Sequence, residues 1–160
     1  MKIWIKSGTV VDPVKGTSKK SDVIIERGKV AEILPPGVFK GERGKFREID
    51  ASGKLIVPGL VDMHTHLREP GYEYKETVAT GGMAGVAGGF TALACMPNTM
   101  PPNDCRSVTE FILEQAKRAD RCRIYPVAAI TVGQKGERLT EFGDMKHCVM
   151  VLLPMIQHWR

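Results

Sequence analysis

The sequence predicts an α/β fold in which βα units on a parallel sheet follow a small antiparallel β segment. Two observations support this prediction. Short strand-like runs separated by turn residues fill residues 1–58, and strands alternate with helical segments over 59–146. The chain has 160 residues, of which 42% are hydrophobic and 26% charged. This composition is typical of a soluble globular protein and excludes a disordered or collagen-like one.

The first segment, residues 1–58, contains several short runs of strand-forming residues. Runs at 2–6 and 9–11 are followed by a hairpin signature, in which Arg27-Gly28-Lys29 turns the run 22–26 into the run 30–34. Further short runs lie at 46–49 and 55–57. The pattern favours antiparallel pairing.

The second segment begins at Pro58-Gly59, where strands start to alternate with helices. We predict a buried strand at 60–63 and further strands at 91–96 and 124–132. We predict helices over 73–87 and from a cap at Asp104 or Ser107 through Ala119, and a short helix within 139–146.

Charge and composition exclude several function classes. The net charge of +5 lies wholly in residues 1–54, which hold twelve Lys/Arg and seven Asp/Glu in a dispersed pattern. A nucleic-acid surface would instead be a clustered stripe with stacking aromatics. The four cysteines form no C-x-x-C pair, which favours reduced thiols. The sequence shows neither a membrane-spanning run nor a signal-peptide core, so we expect a cytoplasmic protein with no nucleic-acid or membrane partner.

The sharpest local feature is the H-x-H pair at the end of the predicted strand 60–63. Side chains at i and i+2 of a strand point to the same face, so His64 and His66 can direct both imidazoles to one point. Two neutral imidazoles suit zinc or a similar divalent cation. The alternative is a pair of hydrogen-bonded core histidines.

Two further polar residues follow strand ends. Arg68 lies two residues beyond His66, and its planar guanidinium matches a carboxylate through two parallel hydrogen bonds. Asn98 follows the strand 91–96 and can offer an amide to a polar ligand. The alternatives are a surface arginine and a turn-forming asparagine.

Several linked motifs resemble the bacterial, longer-chain dihydroorotases of the amidohydrolase superfamily. They are Asp62-Met63-His64-Thr65-His66-Leu67-Arg68-Glu69-Pro70-Gly71, Tyr74-Lys75-Glu76, Thr80-Gly81, Gly88-Gly89-Phe90-Thr91 and Met96-Pro97-Asn98-Thr99. The likeness extends from about residue 3 to Lys146. It implies an incomplete TIM-type barrel of three to four βα units, 59–146, preceded by the amino-terminal part of a small β-sandwich, 1–58.

The resemblance also implies a chemistry. His64 and His66 would bind zinc, and Arg68 and Asn98 would hold the carboxylate of the small-molecule substrate. The reaction would be the reversible cyclisation of N-carbamoyl-L-aspartate to dihydroorotate in pyrimidine synthesis. The metal would lower the pKa of water and polarise the attacked carbonyl. Allantoinases and hydantoinases share the H-x-H but not the arginine two residues later, so Arg68 favours a substrate that bears a carboxylate.

The match ends before the family's remaining metal ligands and its catalytic aspartate, which would lie beyond Lys146. A complete barrel takes about 250 residues, so we expect this chain alone to be inactive, with exposed sheet edges that favour association. Codons for residues 148–157 can be re-read in another frame toward the family's sequence. We therefore interpret 147–160 as a divergent tail produced by a frameshift. An alternative is a non-catalytic, dihydroorotase-like partner of aspartate transcarbamoylase, and another is an allantoinase or hydantoinase relative.

Overall fold

The computed structural model describes residues 2–41 and 44–146. These residues form two compact units, which are divided between Pro58 and Gly59. The boundary between them falls at the Pro58-Gly59 position where the sequence changes character.

The first unit is a five-stranded sheet. Its strands are β1 (Lys2–Asp12), β2 (Thr17–Glu26), β3 (Lys29–Leu34), β4 (Arg47–Asp50) and β5 (Leu55–Ile56). The order is β3-β2-β1-β4, and β5 also pairs with β1. β1, β2 and β3 are antiparallel as predicted, whereas β4 and β5 run parallel to β1. The antiparallel expectation is therefore wrong for β4 and β5. The connection between β3 and β4 carries the chain back along the sheet, and a parallel strand requires such a crossover.

A bulge turns the two predicted runs at 2–6 and 9–11 into one long strand. The register of β1 against β2 shifts between Ile5 and Gly8, and Ser7 has a φ of 58°. The carboxylate of Asp22, which is 1% exposed, accepts a hydrogen bond from the Ser7 N–H at 2.8 Å and another from the Gly37 N–H at 3.4 Å. The first bond satisfies the backbone donor that the bulge removes from the ladder, and the second ties the turn after β3 to the same carboxylate.

The second unit is a parallel sheet with helices. It contains β6 (Leu60–Thr65), α1 (Val78–Ala87), β7 (Phe90–Cys95), α2 (Arg106–Ala119), β8 (Arg123–Pro126), a 3₁₀ turn at Val132–Gln134, and α3 (Phe142–Lys146). The strand order is β6-β7-β8, and both pairings are parallel. The α/β class predicted from the sequence is confirmed for this unit.

The core of the second unit lies between the sheet and its helices. Its buried members come from the β6–α1 loop, both long helices and the strands β7 and β8, and they are Leu67, Val78, Leu93, Cys95, Val108, Ile112 and Ile124. None of the helices in the described part of the chain is both long and apolar enough to cross a membrane.

The strand predicted to be buried at 60–63 forms, but it is not buried. Leu60, Val61 and Met63 are 46%, 58% and 55% exposed. β6 has one neighbour in the described sheet, β7, so one edge and much of its apolar surface stay open. The apolar run predicted the strand correctly, but the burial of its side chains depends on which other elements pack against the strand.

Three predicted boundaries shift. The helix expected at 73–87 begins at Val78, since Thr77 caps it through a hydrogen bond from the Thr80 N–H at 3.0 Å. The strand expected at 124–132 ends at Pro126. The α2 helix is capped by neither predicted residue: Cys105 is its N-cap, and Asp104 accepts a hydrogen bond from the Gly133 N–H at 2.6 Å instead.

Candidate functional site

The histidine pair lies at the carboxyl end of β6. Backbone and side-chain hydrogen bonds tie this strand end to β7: the Thr65 hydroxyl donates to the Ala94 carbonyl at 2.9 Å, and the Met96 N–H donates to the Thr65 carbonyl at 2.8 Å. His64 is the second-last residue of the strand, and its N–H donates to Asp62 Oδ1 at 3.0 Å. The strand therefore holds the backbone of the H-x-H pair in a defined orientation.

The two imidazole rings are close to each other. Their centroids lie 5.2 Å apart and their planes meet at 68°. His64 is exposed and His66 is partly buried. Two imidazoles bound to one tetrahedral zinc ion at ~2.1 Å would have ring centres about 5 Å apart. The observed separation equals the distance expected for two ligands of one cation, and the role of these histidines as metal ligands stays a prediction.

His66 also contacts Asn98. Its Nδ1 lies 2.7 Å from Asn98 Oδ1. The amide oxygen can only accept, so Nδ1 carries the proton and donates in this arrangement. The lone pair of the ring is then on Nε2. Metal-binding histidines commonly have such an arrangement, in which one ring nitrogen donates to an oxygen and the other faces the cation.

Arg68 and Asn98 line the same cavity at the carboxyl end of the sheet. The cavity has a volume of about 330 Å³, and its other lining residues are Tyr72, Lys75, Thr99, Met100, Pro102 and Gln134. Among the described residues that line it, two side chains are cationic and none is a carboxylate. The structure thus brings together the arginine and asparagine that the sequence singled out, in surroundings that favour an anion.

Most of the cavity is formed by two loops, 68–75 and 98–102, and a backbone hydrogen bond joins them. The Met100 N–H donates to the Pro70 carbonyl at 2.9 Å, and the Tyr72 N–H donates to the Arg68 carbonyl at 3.1 Å. Gly71 has a φ of +93°, and a Cβ there would overlap the carbonyl oxygen of Met100. Arg68 itself has a φ of 65°, a left-handed conformation that costs a non-glycine residue roughly 1 kcal/mol or more.

A buried asparagine supports the second of these loops. Asn103 is fully buried: its Nδ2 donates to the Val127 carbonyl at 2.9 Å, and its Oδ1 accepts from the Thr109 hydroxyl at 2.6 Å. Its own N–H donates to the Pro97 carbonyl at 2.9 Å. Asn103 therefore links the turn that carries Asn98 to α2 and to the segment after β8.

Two titratable groups near the site have altered pKa values. Burial raises the pKa of the Cys95 thiol to about 11, so this cysteine is a core residue rather than a nucleophile at neutral pH. A hydrogen bond from the Gly71 N–H to the Glu73 carboxylate, at 2.7 Å, lowers the pKa of that side chain. Cys95, Cys105 and Cys122 are free thiols, as the spacing predicted, and Cys148 lies outside the described residues.

The donor set for a metal ion is partial within residues 2–41 and 44–146. This part of the chain contains no group of three or more His, Cys, Asp or Glu side chains that could hold an ion. His64 and His66 fit as two nitrogen ligands, and a complete zinc site takes three or four protein ligands. The remaining ligands would have to come from elsewhere.

The sequence assigned roles to Arg68 and Asn98 but to none of the other six residues that line the cavity, among them Tyr72, Lys75 and Gln134. Lys75 belongs to the Tyr74-Lys75-Glu76 motif, but its distance from Arg68 in the chain provided no reason to place it in the site. Tyr72 and Gln134 had no local signal. The turn at Pro70-Gly71 was the one feature that could have indicated a loop folding back over the cavity.

Comparisons with known proteins identify the family. A model of the dihydro-orotase-like family matches residues 53–155. The dihydroorotase of Syntrophus aciditrophicus (strain SB) is 51% identical over 146 residues, which cover 91% of this chain and 34% of that protein. The dihydroorotase of Syntrophobacter fumaroxidans (strain DSM 10017 / MPOB) is 54% identical over 138 residues, 86% of this chain and 31% of that protein. The chain thus spans about a third of the length of the curated relatives it matches.

Solved structures share the fold at lower identity. A D-hydantoinase matches with a TM-score of 0.67 and 26% identity over 82% of this chain and 28% of its own. A molinate hydrolase matches with a TM-score of 0.61 and 26% identity over 81% of this chain and 30% of its own. The resemblance inferred from the motifs is confirmed, and the chain belongs to the dihydro-orotase-like family.

Proposed function

We propose that this chain carries part of the active site of a dihydroorotase, which interconverts N-carbamoyl-L-aspartate and dihydroorotate in pyrimidine synthesis. The observation that carries the proposal is the hydrogen bond between His66 and Asn98, 2.7 Å long. It joins the histidine pair to a residue that lines the cavity of Arg68. A cation site and a carboxylate site in contact are what a metal-dependent hydrolase of an anionic cyclic amide requires.

His64 and His66 are the proposed zinc ligands. When bound, zinc would activate water and polarise the amide carbonyl of the ring. In this chain, a hydrogen bond from Nδ1 of His66 to the Asn98 oxygen would leave Nε2 as the ring nitrogen that can bind the ion. The 5.2 Å separation of the two ring centroids supports one shared ion.

Arg68 and Asn98 are the proposed carboxylate-binding residues. The guanidinium can donate two parallel hydrogen bonds to a carboxylate, and the Asn98 amide retains its Nδ2 donors after Oδ1 has bonded to His66. These contacts would orient the substrate ring so that its amide carbonyl lies toward the histidines. Orientation of this kind lowers the entropic barrier to reaction.

The rest of the catalytic machinery is expected outside the described residues. Two imidazoles leave a zinc site without its other ligands and without a proton-transfer group. The three-stranded parallel sheet would be the first part of a TIM-type barrel. We therefore expect no turnover from the 160-residue chain alone. Residues 147–160 lie outside the described residues, although the family model matches as far as residue 155. The frameshift hypothesis remains a prediction that the nucleotide sequence can test.

A hydantoinase-type activity is the second candidate, because a D-hydantoinase is among the solved structures that share the fold. Hydantoin carries no carboxylate. The described lining of the cavity has two cationic side chains and no acidic one. Such a neutral ring would form no ion pair with these cations. The geometry therefore favours the carboxylate-bearing substrate.

A chimeric enzyme would test the proposal. Residues 1–146 would replace the matching segment of the S. aciditrophicus dihydroorotase, which is 51% identical. We expect the chimera to hydrolyse dihydroorotate and to prefer it over hydantoin and allantoin. Arg68→Gln should lower kcat/KM for dihydroorotate at least about 100-fold, since a charged hydrogen-bonded pair is lost. Arg68→Lys should restore only part of it.

Lys117→Gln in α2 is the matched control and should leave kcat/KM unchanged. A chimera that folds, binds zinc and hydrolyses hydantoin but not dihydroorotate would contradict the proposal. So would an Arg68→Gln variant with the activity of the parent chimera.

A further inference from the structure

Lys75 occupies an unusual position at the rim of the Arg68 cavity. Its Nζ lies 5.3 Å from the centroid of the Tyr72 ring and 5.4 Å from that of the Tyr74 ring. The two rings face each other edge to face, with centroids 6.4 Å apart. The ammonium is thus in cation–π range of both rings, which restricts an otherwise flexible side chain.

The same lysine lines the cavity. Tyr72, Lys75, Arg68 and Asn98 all contribute to its wall, whereas Tyr74 does not and is 79% exposed. The backbone holds the segment in place: the Lys75 N–H donates to the Tyr72 carbonyl at 2.9 Å. A second cation therefore lines the same cavity as the guanidinium, and none of the described lining residues carries a compensating negative charge.

We propose that Lys75, held by Tyr72 and Tyr74, is a second cation for the non-reacting carboxylate of the substrate and determines affinity for anionic over neutral rings. The inference rests on the proposed function and deepens it, since it concerns the same cavity. It assigns a role to the Tyr74-Lys75-Glu76 motif, which had none from the sequence alone.

The chemistry explains what this lysine can and cannot do. The carboxylate that Arg68 and Lys75 face does not change its charge when the ring amide is opened. A cation that contacts it stabilises the bound substrate and the transition state equally. Lys75 therefore strengthens binding and leaves the chemical step to the groups around His64 and His66.

Binding to the 160-residue chain itself tests the proposal. Saturation-transfer NMR observes the ligand, so it tolerates self-association of the chain. The probes are dihydroorotate, its uncharged analogue dihydrouracil, and succinate as a simple dianion. For Lys75→Gln we expect about a three- to fivefold weaker Kd for dihydroorotate and no change for dihydrouracil. Lys75→Arg should retain most of the affinity, and Lys117→Gln should retain all of it.

Substitution of Tyr74 provides a second test, in which the charge of Lys75 is unchanged. Tyr74→Ser removes a ring that holds the ammonium without removing a wall of the cavity, so dihydroorotate should bind more weakly. Tyr74→Phe keeps the ring and should bind as the parent does. Raising the salt concentration should weaken binding to the parent more than to Lys75→Gln.

Equal affinity of Lys75→Gln and the parent for dihydroorotate would overturn the proposal, and so would absence of anion binding to the parent. A different result would separate the two proposals. If succinate binding depends on Lys75 while dihydroorotate does not bind, Lys75 is confirmed as an anion-binding residue and the proposed dihydroorotase function is wrong. The two ideas are thus separable.

Discussion

Two cavities lie at opposite ends of the parallel sheet, and both are lined by cations. The one at the carboxyl ends of the strands measures about 330 Å³ and contains Arg68 and Lys75. The one at the amino ends is larger, about 590 Å³, and contains Lys117, Arg121 and Arg123 together with Asp120. Neither a larger volume nor positive charge therefore indicates which of the two cavities is the candidate site.

The difference lies in how the polar groups are organised. At the carboxyl end, Asn98 connects the cavity to the histidine pair, and a backbone hydrogen bond joins the loops that carry Arg68 and Met100. The amino-end cavity contains an acid among its cations and lies on apolar side chains of the helix–sheet contact. Convergent, fixed polar groups identify a site better than its size does, and in parallel sheets they gather where the strands end.

Gly71→Ala should separate the joined loops and give the largest effect. The new Cβ would overlap the Met100 carbonyl oxygen at a φ of +93°, so we expect a loss of about 3 kcal/mol in the free energy of unfolding. Gly136→Ala is the matched control: its φ is +76° and a Cβ at this position would meet nothing within 4 Å, so it should cost about 1 kcal/mol. Urea denaturation measures both. Equal losses would show that the loops do not depend on this close approach.

Thiol reactivity should distinguish the buried end of β7 from the exposed start of α2. Cys95, at the carboxyl end of β7, is fully buried and has a pKa of about 11, so at pH 8 only about one thiol in a thousand is ionised. We expect iodoacetamide to modify Cys95 at least about 100-fold more slowly than the exposed Cys105, with the partly buried Cys122 between them. Peptide mapping by mass spectrometry gives each rate. Comparable rates for Cys95 and Cys105 would mean that the carboxyl end opens readily.

Asn103→Ala should weaken the support behind the Asn98 turn. It leaves the Val127 carbonyl and the Thr109 hydroxyl without their buried partner, at a cost of about 2 kcal/mol. Ser107→Ala, on the exposed side of α2, should cost less than about 0.5 kcal/mol. Urea denaturation midpoints give the stability of the two variants. An Asn103→Ala variant as stable as the parent would contradict a supporting role for Asn103.

The smallest effect concerns Glu73 beside the Arg68 loop. Its folded-state pKa is lowered by the hydrogen bond from the Gly71 N–H, so its contribution to stability is present above the unfolded-state pKa. That contribution should disappear as the pH falls through the lowered value. An NMR titration of the carboxyl carbon gives the pKa directly. Glu73→Gln should abolish this part of the pH dependence, and a carboxyl that titrates at or above the ordinary glutamate value would refute it.

The sequence predicted the positions of the site residues better than their surroundings. The i, i+2 spacing of His64 and His66 led us to expect two neighbouring rings, and their centroids are 5.2 Å apart although His66 lies one residue beyond the end of β6. Arg68 and Asn98 could be expected at one sheet end, because parallel strands all end on the same side. The position of Lys75 in the cavity could not be expected from the sequence, since only the fold of the 68–77 loop brings this residue back to the cavity.

The errors in the fold have a common cause. The antiparallel expectation for β4 and β5, and the burial expected at 60–63, both depended on partners that local sequence does not specify. The cap at Asp104 failed because its carboxylate bonds to Gly133, which is distant in the chain. Residues 73–77 were assigned to a helix although Thr77 is a good N-cap, an indication that the helix could begin later. The TIM-type barrel itself stays a prediction, since the described residues form a sheet of three parallel strands.

The amide of Asn98 has one further consequence. Its oxygen faces His66 while its nitrogen is left for a ligand of the cavity, so a cation on the imidazole and an anion on the amide would polarise one planar group in the same direction. Binding of the cation would then strengthen binding of the anion, and the reverse. Thermodynamic reciprocity makes the two gains in binding free energy equal. A single side chain would in this way make metal affinity and substrate affinity interdependent.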